Sequence, residues 1–344
     1  MSYRIWAAGL MSACVSLAAM PVHAQQSVAD FYAGKRITVV VGSETGGGYD
    51  TNARLLSRHL GKYLPGNPQI IVQNMPGAGS IVATNYLCNV APKDGTFLGM
   101  VQRGMLMAKL TQQNGVQFDP EKINWLGNMS SEASLVVAWH TAPQKKTQDL
   151  FTSEMVVGGA GATADTESTP RLLNATIGTK FKIIPGYKGS SSLLLSIENG
   201  ELQGIADWAW PNIKSRRPDF LRDKKITLLL QNGLQKEADL PDVPLALDYA
   251  KTPEDRKVLE LYYAQKNVAR PLMAPPGVPA DRVAALRTAF EKMSVDPEFL
   301  DDAKKSGLDV DPMNGAAVDK IMALIASTPP AIAKRLADAI TPPQ

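Results

Sequence analysis

Residues 39–56 read VVVGSETGGGYDTNARLL: an apolar run, three consecutive glycines, then an aspartate opening a helical pattern. Glycine-rich turns between strand and helix commonly cradle phosphates, so nucleotide binding is the first chemistry to test. A Walker-type loop needs Lys and Ser/Thr after its last glycine, and Gly42-x-x-x-x-Gly47 is followed by Gly48-Tyr49. The dinucleotide pattern fails as well, because Thr51 stands where the third glycine after Gly46 and Gly48 belongs. What remains is a helix start that exposes backbone N–H groups and carries no catalytic side chain. Such a terminus suits a small anionic group, typically a carboxylate, through hydrogen bonds and the helix dipole. The alternative is a tight turn with Asp50 as its cap.

A second loop, GGAGATADTESTP (residues 158–170), repeats the theme: small, rich in hydroxyls and leading into a helix. Around it stand further polar candidates. Arg103, directly after an apolar strand, suits bidentate pairing with a carboxylate, or it is a solvated surface charge. Lys188 is a second cation of the same standing, beside Tyr187. Asp50 and Arg54, four apart, form a cap and a local ion pair. Trp208 and Trp210 line an apolar pocket or pack in a core or hinge. Asp165, Glu167 and Asp207 would be the acid-base groups of an α/β enzyme, although no spacing singles out a pair. Outside the first 24 residues only His59, His140 and Cys88 remain of their types, so zinc or haem has no ligand set and no cofactor is expected. Cys88 sits in a helical apolar pattern and reads as a core residue with no disulfide partner.

These residues need elements to hold them. RITVVVG (36–42), QIIVQNM (69–75) and TFLGMV (96–101) read as strands, with helices at 50–63 and after the PGAGS turn between them. That alternation implies a parallel sheet with right-handed crossovers. A second set follows: strands at 135–139, 154–158, 181–184, 202–206 and 226–231, with helices at 168–177 and 191–198. Helices at 279–293, 297–305, 316–325 and 330–340 form a tail. Two α/β units make a bilobed molecule with a cleft at the carboxyl ends of its strands. The first lobe takes residues 25–130 and 232–344, the second 131–231.

Composition sets the outer limits. The 344 residues, 44% apolar and 20% charged, suffice for two buried cores, and a formal charge of +3 is no basic footprint for nucleic acid. The N-terminus has one early Arg, an apolar stretch from about residue 5 to 20, and the small-residue end VHA. It reads as a secretory signal peptide, residues 1–24, cleaved after Ala24. The stretch is shorter than the roughly 20 residues of a spanning helix. A lipoprotein site at Cys14 is disfavoured by the apolar segment that continues beyond it.

Taken in order, several motifs resemble the periplasmic solute receptors of tripartite tricarboxylate transporters, the Bug proteins. They are the YAGKRI opening (32–37), GGYDTNAR (47–54), NMPGAG (74–79), APKDGT (91–96), IPGYKGS (184–190), GEL (200–202), PDVP (241–244) and APPGVP (274–279). The resemblance covers essentially the whole mature chain. It implies a two-lobed, type II-like periplasmic binding protein that closes over an organic acid and delivers it to a membrane permease. It also implies ligand contacts from Thr45, Gly46, Gly47, Gly48, Tyr49 and Asp50, and from Gly161, Ala162, Thr163, Ala164 and Asp165. With these go Arg103, Tyr187, Lys188, Asp207 and Trp208. This chain departs from the pattern in Ser43-Glu44-Thr45 before the glycines and in a second loop without His. Glu44, Asp165 and Glu167 would repel an anion unless they turn away or are paired, and Arg103 is the candidate partner. A receptor read by a membrane sensor, and a secreted enzyme acting on a small acid, are the competing functions. A monomer is expected, since closure needs freedom between lobes. A β-branched residue at Gly47 is expected to abolish binding with the fold intact.

Overall fold

The computed structural model describes Met1 and residues 26–341. The expected signal peptide and Cys14 lie outside the described residues. Two mixed sheets form the body. The first has the order β11-β4-β10-β3-β1-β2, built from β1 (Arg36–Val41), β2 (Gln69–Asn74), β3 (Phe97–Met100), β4 (Asn124–Asn128), β10 (Pro271–Ala274) and β11 (Met313–Asn314). The second has the order β7-β6-β8-β5-β9, from β5 (Ser134–Trp139), β6 (Met155–Gly158), β7 (Phe181–Ile184), β8 (Gly204–Ala209) and β9 (Ile226–Asn232).

Strand β1 is parallel to β2 and β3, and β6 is parallel to β7 and β8, as the alternation of elements implies. The rest is antiparallel: β10 with β3 and β4, β11 with β4, and β5 with both β8 and β9. The run VVV of β1 is buried on both faces, with Val39 and Val41 in one apolar cluster and Val40 in another. That explains why it reads as continuous rather than alternating.

Local chemistry fixes the loops that leave these strands. Ser80 lies in the left-handed region (φ 80°) after the PGAG turn. Its hydroxyl donates to the Gly42 carbonyl (2.9 Å) and accepts from the Gln102 N–H (3.0 Å), tying the ends of β1 and β3 together. Asn74 at the end of β2 donates to the Ser43 carbonyl (3.0 Å) and to Asp50 (2.9 Å).

The chain passes between sheets twice, at 129–133 and 265–270, and the two passages run side by side. Met129 N–H donates to the Arg270 carbonyl (3.1 Å), Ala269 N–H to Ser130 (3.0 Å) and Glu132 N–H to Lys266 (3.2 Å). Helices Pro253–Ala264 and Pro330–Ile340, expected with the first lobe, pack against helix Asp165–Thr176 beside the second sheet. Leu336, Ala339 and Ile340 share a buried cluster with Leu172 and Leu173 there. Among the described residues no single helix is long and apolar enough to cross a membrane. Cys88 is buried in the core, and burial pushes its thiol up to about 11.

Candidate functional site

Strands β1, β3, β6 and β8 deliver their carboxyl ends to one cleft between the sheets. From the first sheet it receives Ser43, Gly47, Gly48 and Tyr49 after β1, and Gln102 and Arg103 after β3. From the second come Ala160, Asp165 and Thr166 after β6, and Asp207, Trp208, Ala209 and Asn212 on and after β8. Glu132 and Arg270 come from the two passages between sheets.

The floor is ionic. Arg103, 2% exposed, places Nη1 2.8 Å from Glu132, Nε 2.8 Å from Asp165 and Nη2 3.3 Å from Asp207. The Nε contact with Asp165 is one of charge, without the alignment of a hydrogen bond. Lys266 donates to Asp207 (2.8 Å) and to Ser134 Oγ (2.7 Å), and Arg270 Nη1 reaches Glu132 at 2.8 Å. Three acids thus meet three bases. Burial alone would raise the Asp207 carboxyl, but Lys266 and Arg103 outweigh it and hold the group below the ordinary carboxylate range. Burial lifts Asp165 above that range although Arg103 opposes it, and the Asp207 charge adds to the lift.

The other two acids near the loops are also engaged. Glu167 pairs with Arg171 (3.0 Å) and accepts the Gly161 N–H (3.1 Å). Glu44 accepts the N–H groups of Ser191 (2.7 Å) and Ser192 (3.0 Å), at the start of helix Ser190–Glu198 across the cleft. So the cleft meets an anion without a row of bare carboxylates.

Comparison with known proteins agrees with this architecture. Residues 53–341 match the model of the tripartite tricarboxylate transporter family receptor. The chain belongs to that receptor family. A Cupriavidus necator protein called "UPF0065 protein in gbd 5'region" is 28% identical over 311 residues, covering 88% of this chain and 87% of the relative. Among solved structures, the periplasmic binding protein BugD superposes with a TM-score of 0.72 at 19% identity, covering 90% of this chain and 98% of BugD. MatC from Rhodopseudomonas palustris with bound malate superposes with a TM-score of 0.67 at 20% identity, covering 89% and 99%. The fold of the receptor is therefore the two-lobed one of periplasmic binding proteins.

Of the residues singled out in the sequence, the receptor brings Gly47, Gly48, Tyr49, Arg103, Asp165, Asp207 and Trp208 to the cleft wall. Thr45, Gly46 and Asp50 do not line it. Thr45 donates to Asn74 (3.1 Å), Gly46 N–H donates to Asp50 (2.8 Å), and Arg54 grips Asp50 through two contacts of 2.9 Å. Gly161, Ala162, Thr163 and Ala164 do not line the cleft either. Thr163 Oγ1 donates to the carbonyls of Ala78 (3.0 Å) and Gly79 (2.8 Å), so this loop docks on the PGAG turn of the first sheet. Tyr187 packs beside Gly158, and Lys188 is an exposed rim charge. Trp208 is in β8, one residue after Asp207, because that strand runs on to Ala209 rather than stopping at 206. Trp210 is packed and donates its indole N–H to Asp239 (2.9 Å).

Arg103 is neither a free clamp nor a solvated charge; it is buried among acids. Gly47 is likewise not the tightest glycine. A Cβ there would meet Glu44 O and Ser190 Oγ at an ordinary 3.5 Å, whereas one on Gly48 would stand 2.6 Å from Asn212 Nδ2. Ser43 opens the loop expected at the cleft after β1, whereas Glu132, Asn212 and Arg270 join the lining without a local sequence signal. As for cations, His59, Asp296 and Glu298 bring ligand atoms within 4.8 Å of one another, but the Lys62 ammonium already bridges the two carboxylates.

Proposed function

We propose that this receptor captures a small organic acid in the cleft, outside the cytoplasm, and passes it unchanged to the permease of a tripartite tricarboxylate transporter. The observation that carries the reading is the internal pairing of the ionic floor. Glu132, Asp165 and Asp207 are matched by Arg103, Lys266 and Arg270, so an incoming carboxylate meets no net negative charge. The malate bound to MatC, a protein of the same fold, supports a carboxylate as the class of ligand. Secretion by the leader at 1–24, with the mature receptor acting as a monomer in the periplasm, completes the proposal.

The test is a thermal-shift screen of the mature protein with mono-, di- and tricarboxylates, aromatic acids, amino acids and nucleotides, because a ligand that binds only the folded state raises its melting temperature. A rise with organic acids is expected. A rise confined to nucleotides would overturn the reading.

A further inference from the structure

On the cleft wall, polar groups without protein partners converge on one point. Arg270 is 3% exposed. Its Nη1 is committed to Glu132 and to the Ala269 carbonyl, each at 2.8 Å. Its Nε is buried with no hydrogen-bond partner, and among the described residues Nη2 makes none. Ser43 Oγ is likewise buried and unpartnered. The Asn212 side chain, on a residue 7% exposed, has no hydrogen bond among the described residues. A Cβ built on Gly48 would lie 2.6 Å from Asn212 Nδ2 and 3.0 Å from Arg270 Nη2, so both donors surround the space above the first helical turn. The first N–H groups of helix Gly48–His59 have no intrahelical partner, and Gly47, Gly48 and Tyr49 at that end line the same cleft.

We infer that Arg270 and Asn212 grip one carboxylate of the ligand against Gly48, Arg270 through its Nε/Nη2 edge. That edge matches two carboxylate oxygens at once. It is also held in advance: Glu132 fixes Nη1, and the guanidinium lies 4.5 Å from the centroid of the Tyr49 ring, so little side-chain freedom is lost on binding. Glu132 is shared between Arg103 and Arg270 and engages Arg270 only at Nη1, which leaves the Nε/Nη2 edge without a carboxylate partner among the described residues. Ser43 and the helix N–H groups complete a set made of donors. A primary amide in place of the carboxylate would present donors to donors and be rejected. The inference rests on the receptor reading.

The experiment is calorimetry on the mature chain with C3–C6 mono- and dicarboxylates and their primary amides, comparing wild type with Arg270→Lys, Asn212→Ala and Gly48→Ala. Wild type is expected to bind at least one acid and no amide. Arg270→Lys keeps a charge beside Glu132 and loses the edge, so affinity falls roughly ten- to hundredfold. Asn212→Ala breaks no internal hydrogen bond, so it keeps the unliganded melting temperature while binding weakens or is lost; Gly48→Ala puts a methyl 2.6 Å from Asn212 Nδ2 and must push that side chain aside, so binding is lost with it. If an acid binds wild type and these variants within twofold, the inference is overturned and the receptor reading stands. If no acid binds wild type, tricarboxylic and aromatic acids included, both fall.

Discussion

At Asp207 one acid serves two buried cations, Lys266 at 2.8 Å and Arg103 at 3.3 Å, with Thr169 donating a third contact at 2.8 Å. Removing one partner of a buried ion cluster strands the others in a medium that solvates them poorly, which costs about 3–5 kcal/mol. Asp207→Asn is therefore expected to lower stability by about that amount in urea denaturation, and pairing it with Lys266→Met to recover part of it. A loss under about 1 kcal/mol would show that the two cations do not depend on Asp207. Legibility at this scale followed the local pattern. Arg103 follows an apolar strand, Asp165 opens the helix after the glycine-rich second loop and Asp207 lies in the apolar strand β8, so each carries a local signal. Arg270 precedes a four-residue strand that begins with Pro271, and Asn212 follows Trp-Pro in a short helix, so nothing local links them to Gly48. Their meeting is a product of the two passages between sheets.

Among elements, helix Pro297–Lys305 is bound to helix Gly48–His59 through one acid. Asp302 lies 2.9 Å from Arg58 and 2.8 Å from His59, and these partners hold its carboxyl down at about 2. A depressed folded-state pKa stabilises above the unfolded carboxylate pKa, near 3.9, and that contribution fades as pH falls toward 2. The melting-temperature gap between wild type and Asp302→Asn should persist from pH 7 to about pH 5 and close toward pH 2. A gap that does not change with pH would assign the effect to packing. A second element contact depends on backbone shape. Gly161 has φ 114°, and a Cβ on it would stand 2.3 Å from the Gly79 nitrogen, so Gly161→Ala pushes the second loop off the PGAG turn. Backbone strain of this kind costs about 1–3 kcal/mol, measurable as a lowered midpoint in denaturant. The parallel strands β1 to β3 were legible from their apolar runs and intervening helices. Strands β4 and β11 were not, being short and Asn-bearing, and the helix Pro253–Ala264 escaped notice despite Thr252, whose hydroxyl accepts the Asp255 N–H at 3.0 Å.

For the whole molecule, the two sheets touch at opposite rims of the cleft. On one side Thr163 reaches the carbonyls of Ala78 and Gly79; on the other Glu44 accepts two N–H groups at the start of helix Ser190–Glu198, whose own N-cap, Gly189, offers no side chain. Glu44 thus supplies the missing cap from the opposite sheet, and the bond exists only while the sheets stand close. The alternation of strands and helices made the two lobes legible, but this tie was not, because Glu44 and Ser191 are 147 positions apart. Charged hydrogen bonds are worth about 1.5–3 kcal/mol, and a contact made only in the closed form acts mainly on the rate of leaving it. Glu44→Ala is therefore expected to speed release of a bound organic acid roughly ten- to hundredfold in stopped-flow measurements, with association little changed. Small-angle scattering of the unliganded variant should give a larger radius of gyration than wild type. If release and radius both match wild type, Glu44 is a helix cap alone and closure is held by the ligand and the Thr163 rim.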